Sequence, residues 1–241
     1  MASLDATTQA RLQRVRDRID RAAAAAGRDP RAIALVAVGK TFGAERIEEA
    51  IAAGQRSFGE NYLQEALAKI RQVGRTDAGR GVEWHFIGPI QSNKARDLAL
   101  YFDWIQTIDR LAIAQRLSAQ RPTGATPPLN VLLQINISGE PTKHGVAPAQ
   151  ALELARQVVR LPRLRLRGLM AIPEPAADLL GQRAPFARMR NLLGELQQGL
   201  GEAGPGLDTL SMGMSEDLEA AILEGSTMVR IGTAIFGART P

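Results

Sequence analysis

The chain has 241 residues, of which 45% are apolar and 23% are charged, and this balance excludes a disordered or low-complexity protein. The absence of cysteine excludes disulfides, thiolate nucleophiles, cysteine-bound zinc and iron–sulfur clusters. The formal net charge is +5, but acidic residues are interspersed among the arginines and only 4% of the residues are aromatic, so we expect no nucleic-acid partner.

Two further classes of protein are disfavoured by the sequence. No window approaches the roughly 18 apolar residues of a membrane span, and the N-terminal residues contain no apolar signal core. We therefore expect a cytoplasmic protein that does not contact a membrane. The two histidines, His85 and His144, lie far apart, which excludes a histidine-rich metal site, and nothing in the sequence indicates a metal of another kind.

Apolar, strand-like stretches alternate with amphipathic, helix-like stretches along the chain. A one-sided helix over residues 5–26 comes first. The predicted strands are residues 32–38, 56–59, 82–87, 104–107, 130–137, 164–172, 209–212 and 228–231. The helices predicted after the first seven strands are residues 44–53, 62–73, 93–100, 110–120, 148–160, 185–203 and 215–224.

This order predicts one α/β domain over residues 1–241, built as a closed (β/α)8 TIM-type barrel with an extra N-terminal helix. Strands rich in valine, isoleucine and leucine and joined by helices are typical of parallel pairing with both faces buried. An open doubly wound sheet is the alternative, but it requires a reversal in the winding that the sequence does not show. Few residues follow the eighth strand, so we expect the N-terminal helix to cover the barrel wall there.

Lysine is rare in this chain. Only four of the 30 basic residues are lysines, and a position that keeps lysine can require a primary amine that attacks a carbonyl. They are Lys40, Lys69, Lys94 and Lys143. Lys40 directly follows the first apolar strand, at the mouth of the predicted barrel, where partial burial would make its amine nucleophilic. The alternative is a lysine that caps the strand end and extends into solvent.

Small and hydroxyl-bearing residues follow the last two strands, where barrels of this kind commonly bind phosphate. Ser215 follows the seventh strand, and Gly232 and Thr233 follow the eighth. Their N–H and O–H groups could together hold a phosphate. Taken singly, Ser215 is also explained as a helix N-cap and Gly232 as a turn residue.

Three polar residues in or after the strands could contact a planar ring. They are Asn61, His85 and Arg230. Each has a structural alternative, as a turn residue, a buried core histidine and a surface arginine respectively. An amine, a planar-ring site and a phosphate site at one barrel mouth together indicate pyridoxal 5′-phosphate bound to Lys40 as a Schiff base.

Six segments of the chain resemble, in order and spacing, the pyridoxal phosphate homeostasis proteins, which are single-domain relatives of the N-terminal barrel of alanine racemase. The segments are AVGKT (37–41), FGENY (58–62), HFIGPIQSNK (85–94), GLMAI (168–172), LSMGMS (210–215) and VRIGTAIFG (229–237). The resemblance implies a fold-type III barrel with the cofactor bound covalently to Lys40. The phosphate site that it implies comprises Ser215, Gly232 and Thr233. The implied ring site comprises Asn61, His85, Met214 and Arg230, with the arginine facing the pyridine nitrogen.

Two positions depart from the family pattern. Gly39, directly before Lys40, stands where serine is common, and His144 stands where a small hydroxyl residue is common. Neither departure removes a group that the Schiff base requires. Lys94 has two interpretations, a second cofactor site and a surface lysine.

The resemblance implies a monomeric carrier, not an enzyme, that binds and stores pyridoxal phosphate and delivers it to apo-enzymes. A slow racemase-like enzyme acting on amino acids is the alternative. It is disfavoured because the chain has no room for the second domain of alanine racemase, and its two tyrosines are Tyr62 and Tyr101. A third hypothesis keeps the barrel without the cofactor, as a binding or scaffold protein.

Overall fold

Eight parallel strands close into a barrel in the computed structural model, which describes residues 7–124, 126–140 and 144–237. The strands follow one another around the ring in chain order: β1 (Ala34–Val38), β2 (Ser57–Glu60), β3 (Glu83–Phe86), β4 (Trp104–Ile108), β5 (Leu129–Gln134), β6 (Leu164–Met170), β7 (Thr209–Ser211) and β8 (Met228–Ile231). Ala37 of β1 lies opposite Phe58 of β2 on one side and Ile231 of β8 on the other. The predicted closed barrel is confirmed and the open sheet is excluded.

Helices cover the outside of the barrel. Those in the described ranges are α1 (Thr8–Ala25), α2 (Ala44–Ala52), α3 (Leu63–Val73), α4 (Ala95–Tyr101), α5 (Leu111–Gln120), α6 (Ala151–Val158), α7 (Leu179–Gly199), α8 (Leu218–Leu223) and α9 (Thr233–Phe236). Alternation along β3 separates two cores, because successive side chains of a strand point to opposite faces. Trp84 and Phe86 pack outward, against Phe58 and Phe102, whereas His85 between them faces the interior of the barrel.

The N-terminal helix α1 covers the wall beside the last strand, as expected. Its buried face includes Leu12, Val15 and Ile19, and it packs against α8 and the short α9. Arg18 of α1 makes an ion pair of 2.7 Å with Glu219 of α8, which fixes the helix at the edge of the barrel. Four residues of α9 would not bury this part of the sheet alone.

Two predicted helix starts are wrong. The helix predicted from residue 185 begins at Leu179, because Asp178 accepts a hydrogen bond from the backbone N–H of Gly181 and starts the helix earlier. Pro185 therefore lies inside α7 and does not open it. The helix predicted from Ser215 begins at Leu218, because residues 214–217 form a turn held by the Asp217 carboxylate.

The interior of the barrel is filled by an apolar cluster around a few polar side chains. The cluster consists of Val36, Trp104, Leu132, Met170 and Met228. None of the helices in the described ranges is both long enough and apolar enough to span a bilayer. Across the same ranges, no three histidine, aspartate or glutamate side chains lie close enough together to hold a metal ion.

Candidate functional site

A cavity of about 310 Å³ opens at the carboxyl mouth of the barrel, where reactive groups gather in this fold. Residues after strands β1, β2, β6, β7 and β8 contribute to its wall. Seven of the eight predicted site residues line it: Lys40, Asn61, Met214, Ser215, Arg230, Gly232 and Thr233. The fold thus brings together residues that lie as much as 193 positions apart in the printed sequence.

Lys40 enters the cavity from a turn that is held at both sides. The N–H of Gly39 bonds to the carbonyl of Gly59 at 3.0 Å, which extends the pairing of β1 with β2 up to the lysine. Thr41 has a left-handed backbone with φ of 69°, a strained conformation for a β-branched residue. Its N–H donates to Glu65 at 3.1 Å. The turn therefore presents the amine of Lys40 in a defined direction.

A buried ion pair lies beside this turn, and its role was not predicted from the sequence. The ammonium of Lys69 lies 2.8 Å from Glu60 Oε1 and donates to the carbonyl of Gly39 at 2.7 Å. Glu60 is fully buried, and its Oε2 has no hydrogen-bond partner among the described residues. Burial raises the pKa of Glu60 to about 7 although Lys69 opposes the rise. The carboxyl group therefore titrates near neutral pH.

Asn61 supplies an acceptor without a protein partner. Its side-chain oxygen, Oδ1, is buried at the cavity and makes no hydrogen bond to any described residue. Gly88 lies so close to the backbone of Asn61 that a β-carbon on residue 88 would collide with that backbone. A buried, unpaired acceptor is uncommon in native proteins, since its desolvation is unfavourable. Asn61 Oδ1 is thus suited to an N–H or O–H group of a ligand.

Arg230 is a buried cation at the floor of the cavity. Only 4% of the residue is exposed. Its Nη1 donates to Ser211 Oγ at 2.6 Å and its Nη2 donates to the carbonyl of Ala171 at 2.9 Å. Burial lowers the pKa of Arg230 to about 10, and the nearby Asp217 carboxylate opposes this change. The guanidinium remains charged at neutral pH.

The turns after β7 and β8 place small residues around the opposite part of the cavity. Gly213 has φ of 97° and lies so near Ala221 that a β-carbon would stand 2.6 Å from the alanine methyl group, so glycine is required there. Ser215 follows in the turn, and its carbonyl accepts from Arg18 at 2.9 Å. Gly232 and Thr233 begin α9. The hydroxyls of Ser215 and Thr233, beside the small Gly232, suit an anion such as phosphate.

His85 does not line the cavity. It is fully buried inside the barrel, with its ring stacked on Trp104 at 5.4 Å and nearly parallel to it. Its two ring nitrogens lie 3.0 Å from Glu83 Oε2 and 3.0 Å from Gln106 Nε2. The histidine is linked to Arg230 through the side chains of Gln106 and Ser211.

Two further sequence candidates, Lys94 and His144, lie outside the cavity wall. Lys94 ends a short 3-10 turn, His144 is exposed, and Lys143 lies outside the described residues.

Gly39 stands where serine is common in the family, and packing gives a reason for the glycine, because a β-carbon would stand 2.5 Å from Ile47 Cδ1. A serine at this position would displace the neighbouring side chains.

Comparisons with known proteins give a consistent result. A protein-family model described as "Alanine racemase, N-terminal domain" matches residues 10–240. A protein of Pseudomonas aeruginosa named pyridoxal phosphate homeostasis protein is 59% identical over 228 residues, covering 95% of this chain and 94% of that one. The Escherichia coli K12 protein of the same name is 57% identical over 231 residues, covering 95% of each. The structure of PipY from Synechococcus elongatus, described as having PLP bound, is 36% identical, with a TM-score of 0.75 over 91% of this chain and 100% of that chain.

Proposed function

The chain belongs to the alanine racemase N-terminal domain family and, within it, to the pyridoxal phosphate homeostasis proteins, and we propose that it binds pyridoxal 5′-phosphate at the carboxyl mouth of its barrel. One observation carries the proposal. A single cavity contains the amine of Lys40, the cationic side chain of Arg230 and the acceptor Asn61 Oδ1 that has no partner among the described residues. A ligand that combines a carbonyl, a ring nitrogen and a hydroxyl matches these three groups.

The residues present fit this cofactor. Ser215, Gly232 and Thr233 offer hydroxyl and backbone donors to its phosphate, in turns where bulky side chains are absent. Arg230 offers N–H donors to the ring nitrogen, and Asn61 offers its acceptor to the ring hydroxyl. Met214 contributes an apolar side chain to the wall. Among the described residues, the cavity wall therefore has a donor or an acceptor for each polar group of the cofactor.

When bound, the cofactor supplies an aldehyde that condenses reversibly with a primary amine. Lys40 provides that amine from a turn fixed by Lys69 and by the Thr41 N–H bond to Glu65. Arg230 holds its own protons at neutral pH, because its pKa of about 10 lies well above 7. A ring nitrogen bound at Arg230 would accept a hydrogen bond and receive no proton. A ring without that proton withdraws electrons weakly, which disfavours amino-acid turnover.

The side chains of the cavity favour a carrier over a racemase-like enzyme. The ionisable groups among the described wall residues are Lys40, Glu216, Asp217 and Arg230, and no tyrosine or histidine is among them. Racemisation requires an acid or base on each face of the substrate. Asp217 already accepts the Met214 N–H at 2.6 Å and lies near Arg230. We therefore propose that the chain stores the cofactor reversibly and delivers it to apo-enzymes. We also propose that it does so as a monomer in the cytoplasm.

The proposal is tested by absorption spectroscopy of the purified protein mixed with pyridoxal phosphate, before and after borohydride reduction. Lys40→Ala is compared with Lys94→Ala, a lysine away from the cavity wall. We expect the wild type and Lys94→Ala to give a chromophore that reduction fixes to the peptide containing Lys40, and Lys40→Ala to give none. A wild type without a chromophore would overturn the proposal.

Delivery and turnover are separated by a second experiment on the loaded protein. It is mixed with the apo-form of a pyridoxal phosphate enzyme, and the recovered enzyme activity is measured. In parallel, L-alanine is incubated with the loaded protein in deuterium oxide, and exchange of its α-proton is followed. A carrier restores the enzyme and leaves the α-proton in place, whereas the racemase-like alternative predicts steady exchange and loss of optical activity.

A further inference from the structure

A chain of four hydrogen bonds crosses the interior of the barrel, from the cavity floor towards the opposite mouth. Arg230 Nη1 lies 2.6 Å from Ser211 Oγ, which lies 2.6 Å from Gln106 Oε1. Gln106 Nε2 lies 3.0 Å from His85 Nδ1, and His85 Nε2 lies 3.0 Å from Glu83 Oε2. All except Glu83 are buried. One continuous polar path thus joins the cationic end of the cavity to a carboxylate.

The two ends of this path fix the direction of every bond in it. An arginine can only donate, so the Ser211 hydroxyl accepts from Arg230 and donates to the oxygen of the Gln106 amide. The amide nitrogen of Gln106 then donates to His85 Nδ1. His85 must therefore carry its proton on Nε2, from which it donates to the Glu83 carboxylate. Each of the four hydrogen bonds in the path therefore has a defined donor and a defined acceptor.

Two carboxylates act on the ring of His85. Glu83, on β3, faces the ring of His85. The carboxylate of Asp103, just before β4, interacts electrostatically with His85 as well. Burial alone would raise the pKa of Glu83, but its contacts with His85, Trp104 and Ser57 hold it below its usual range. Trp104 Nε1 donates to Glu83 Oε1 at 2.7 Å and Ser57 Oγ donates to Oε2 at 3.3 Å, so both carboxylate oxygens act as acceptors. Two cations lie near the path: Arg230 at its end, and Arg167, which lies 5.0 Å from the Trp104 ring. The group that contacts Nδ1 is the amide nitrogen of Gln106.

We propose that Gln106 is a positioning residue that holds Arg230 through Ser211 and fixes His85 as the neutral Nε2–H tautomer, so that the interior of the barrel supplies no proton to the cavity floor. The inference rests on the proposed function, because it assigns these residues to the arginine that faces the cofactor ring. A primary amide takes up no proton near neutral pH, so the path cannot relay one to Arg230 while Gln106 keeps this orientation. The ring nitrogen remains a hydrogen-bond acceptor, as a carrier requires.

The tautomer is tested on the protein without cofactor by NMR with ¹⁵N-labelled histidine. The chain has two histidines, so His144→Gln assigns the signals of His85. We expect Nδ1 without a proton and Nε2 with one at pH 7. In Gln106→Glu the facing carboxylate cannot donate, and we expect the signal of the unprotonated Nδ1 to be lost because both nitrogens carry protons. A wild-type His85 with its proton on Nδ1 would overturn the proposal.

A second variant keeps the test independent of the folding of Gln106→Glu. Ser211→Ala removes the link between Arg230 and Gln106, and Ser226→Ala is its matched control, since Ser226 is equally buried but bonds to backbone carbonyls outside the path. We expect Ser211→Ala to raise the dissociation constant of pyridoxal phosphate about threefold to tenfold and to mix the tautomers of His85. Equal behaviour of the two serine variants would overturn the positioning role.

The two proposals fail in different ways. A wild type that does not bind pyridoxal phosphate but shows the expected tautomer would overturn the proposed function and leave the order of the interior path intact. A wild type that binds the cofactor with His85 protonated on Nδ1 would overturn the positioning role of Gln106 alone.

Discussion

The ammonium group of Lys69 donates a hydrogen bond of 2.7 Å to the carbonyl oxygen of Gly39, the residue that directly precedes Lys40. The same ammonium lies 2.8 Å from the carboxylate of Glu60, and both side chains are withdrawn from solvent. A single buried cation therefore joins the end of β1, the end of β2 and helix α3. Lys40 extends into the cavity from the turn that Lys69 holds in this way.

Removal of that cation should destabilise the protein. In Lys69→Met, Glu60 is left buried without a partner, and the loss of one member of a buried pair lowers the free energy of unfolding by about 3–5 kcal/mol. The double variant Glu60→Gln/Lys69→Met leaves no lone charge and should recover most of that loss. Urea unfolding at pH 8 measures the free energy of unfolding of both variants. Equal stability of Lys69→Met and the wild type would contradict the role of the pair.

The raised pKa of Glu60, about 7, gives a stability effect of defined sign. In the unfolded chain a glutamate titrates near 4.3, so the folded protein holds this proton more tightly. The contribution of Glu60 to stability is full below about pH 4, falls as the pH rises towards 7 and then levels off. Between pH 5 and 8 we expect the wild type to lose about 2–3 kcal/mol more than Glu60→Gln. Parallel stability curves for the two proteins would show that Glu60 does not titrate in this range.

The fold was predictable because its signals are local and repeated. Each of the first seven predicted strands is followed by an amphipathic helix, and eight strands in this order leave few architectures. The two wrong helix starts have specific causes. Pro185 is typical of the first turn of a helix, yet it lies inside α7, and Asp217 uses its carboxylate to hold a turn before α8.

A position at the cavity wall was predictable where a residue lies just after a strand, as Gly232 and Lys40 do. The supporting residues could not be found in this way. Lys69 lies in the middle of α3, and its approach to Gly39 depends on how that helix packs beside β1 and β2. Gln106 lies in β4 and Ser211 ends β7, and only the closure of the barrel brings them within 2.6 Å of each other.

Asn61 should separate stability from binding. Its Oδ1 is buried without a partner among the described residues, so Asn61→Leu removes an unfavourable desolvation and breaks no hydrogen bond of that atom. We expect the free energy of unfolding of the protein without cofactor to rise by about 1 kcal/mol, while the affinity for pyridoxal phosphate falls. Urea unfolding and a spectroscopic titration measure the two effects.

The control for this change is an asparagine with its partners in place. Asn130 donates to the carbonyl of Asp103 at 3.3 Å and accepts from Arg167 at 3.2 Å. Asn130→Leu should therefore lower stability without a direct effect on the cavity. If Asn61→Leu lost as much stability as Asn130→Leu, Asn61 Oδ1 would have a structural partner and not a ligand.

Arg230 should determine affinity through the geometry of its guanidinium as well as its charge. In the proposed binding mode, Arg230→Gln would lose a charge-assisted hydrogen bond to the cofactor, worth about 1.5–3 kcal/mol, so we expect the dissociation constant of pyridoxal phosphate to rise about 10- to 100-fold. Arg230→Lys keeps the charge, but a single ammonium cannot reproduce the planar fork that contacts Ser211 and Ala171. Its affinity should therefore lie between those of the wild type and Arg230→Gln.

The control for these variants is Arg31→Gln, at an exposed position, which should bind as the wild type does. Since the pKa of Arg230 is about 10, the difference between wild type and Arg230→Gln should stay constant from pH 7 to 8.5. A difference that vanished within this range would mean that another cation faces the ring.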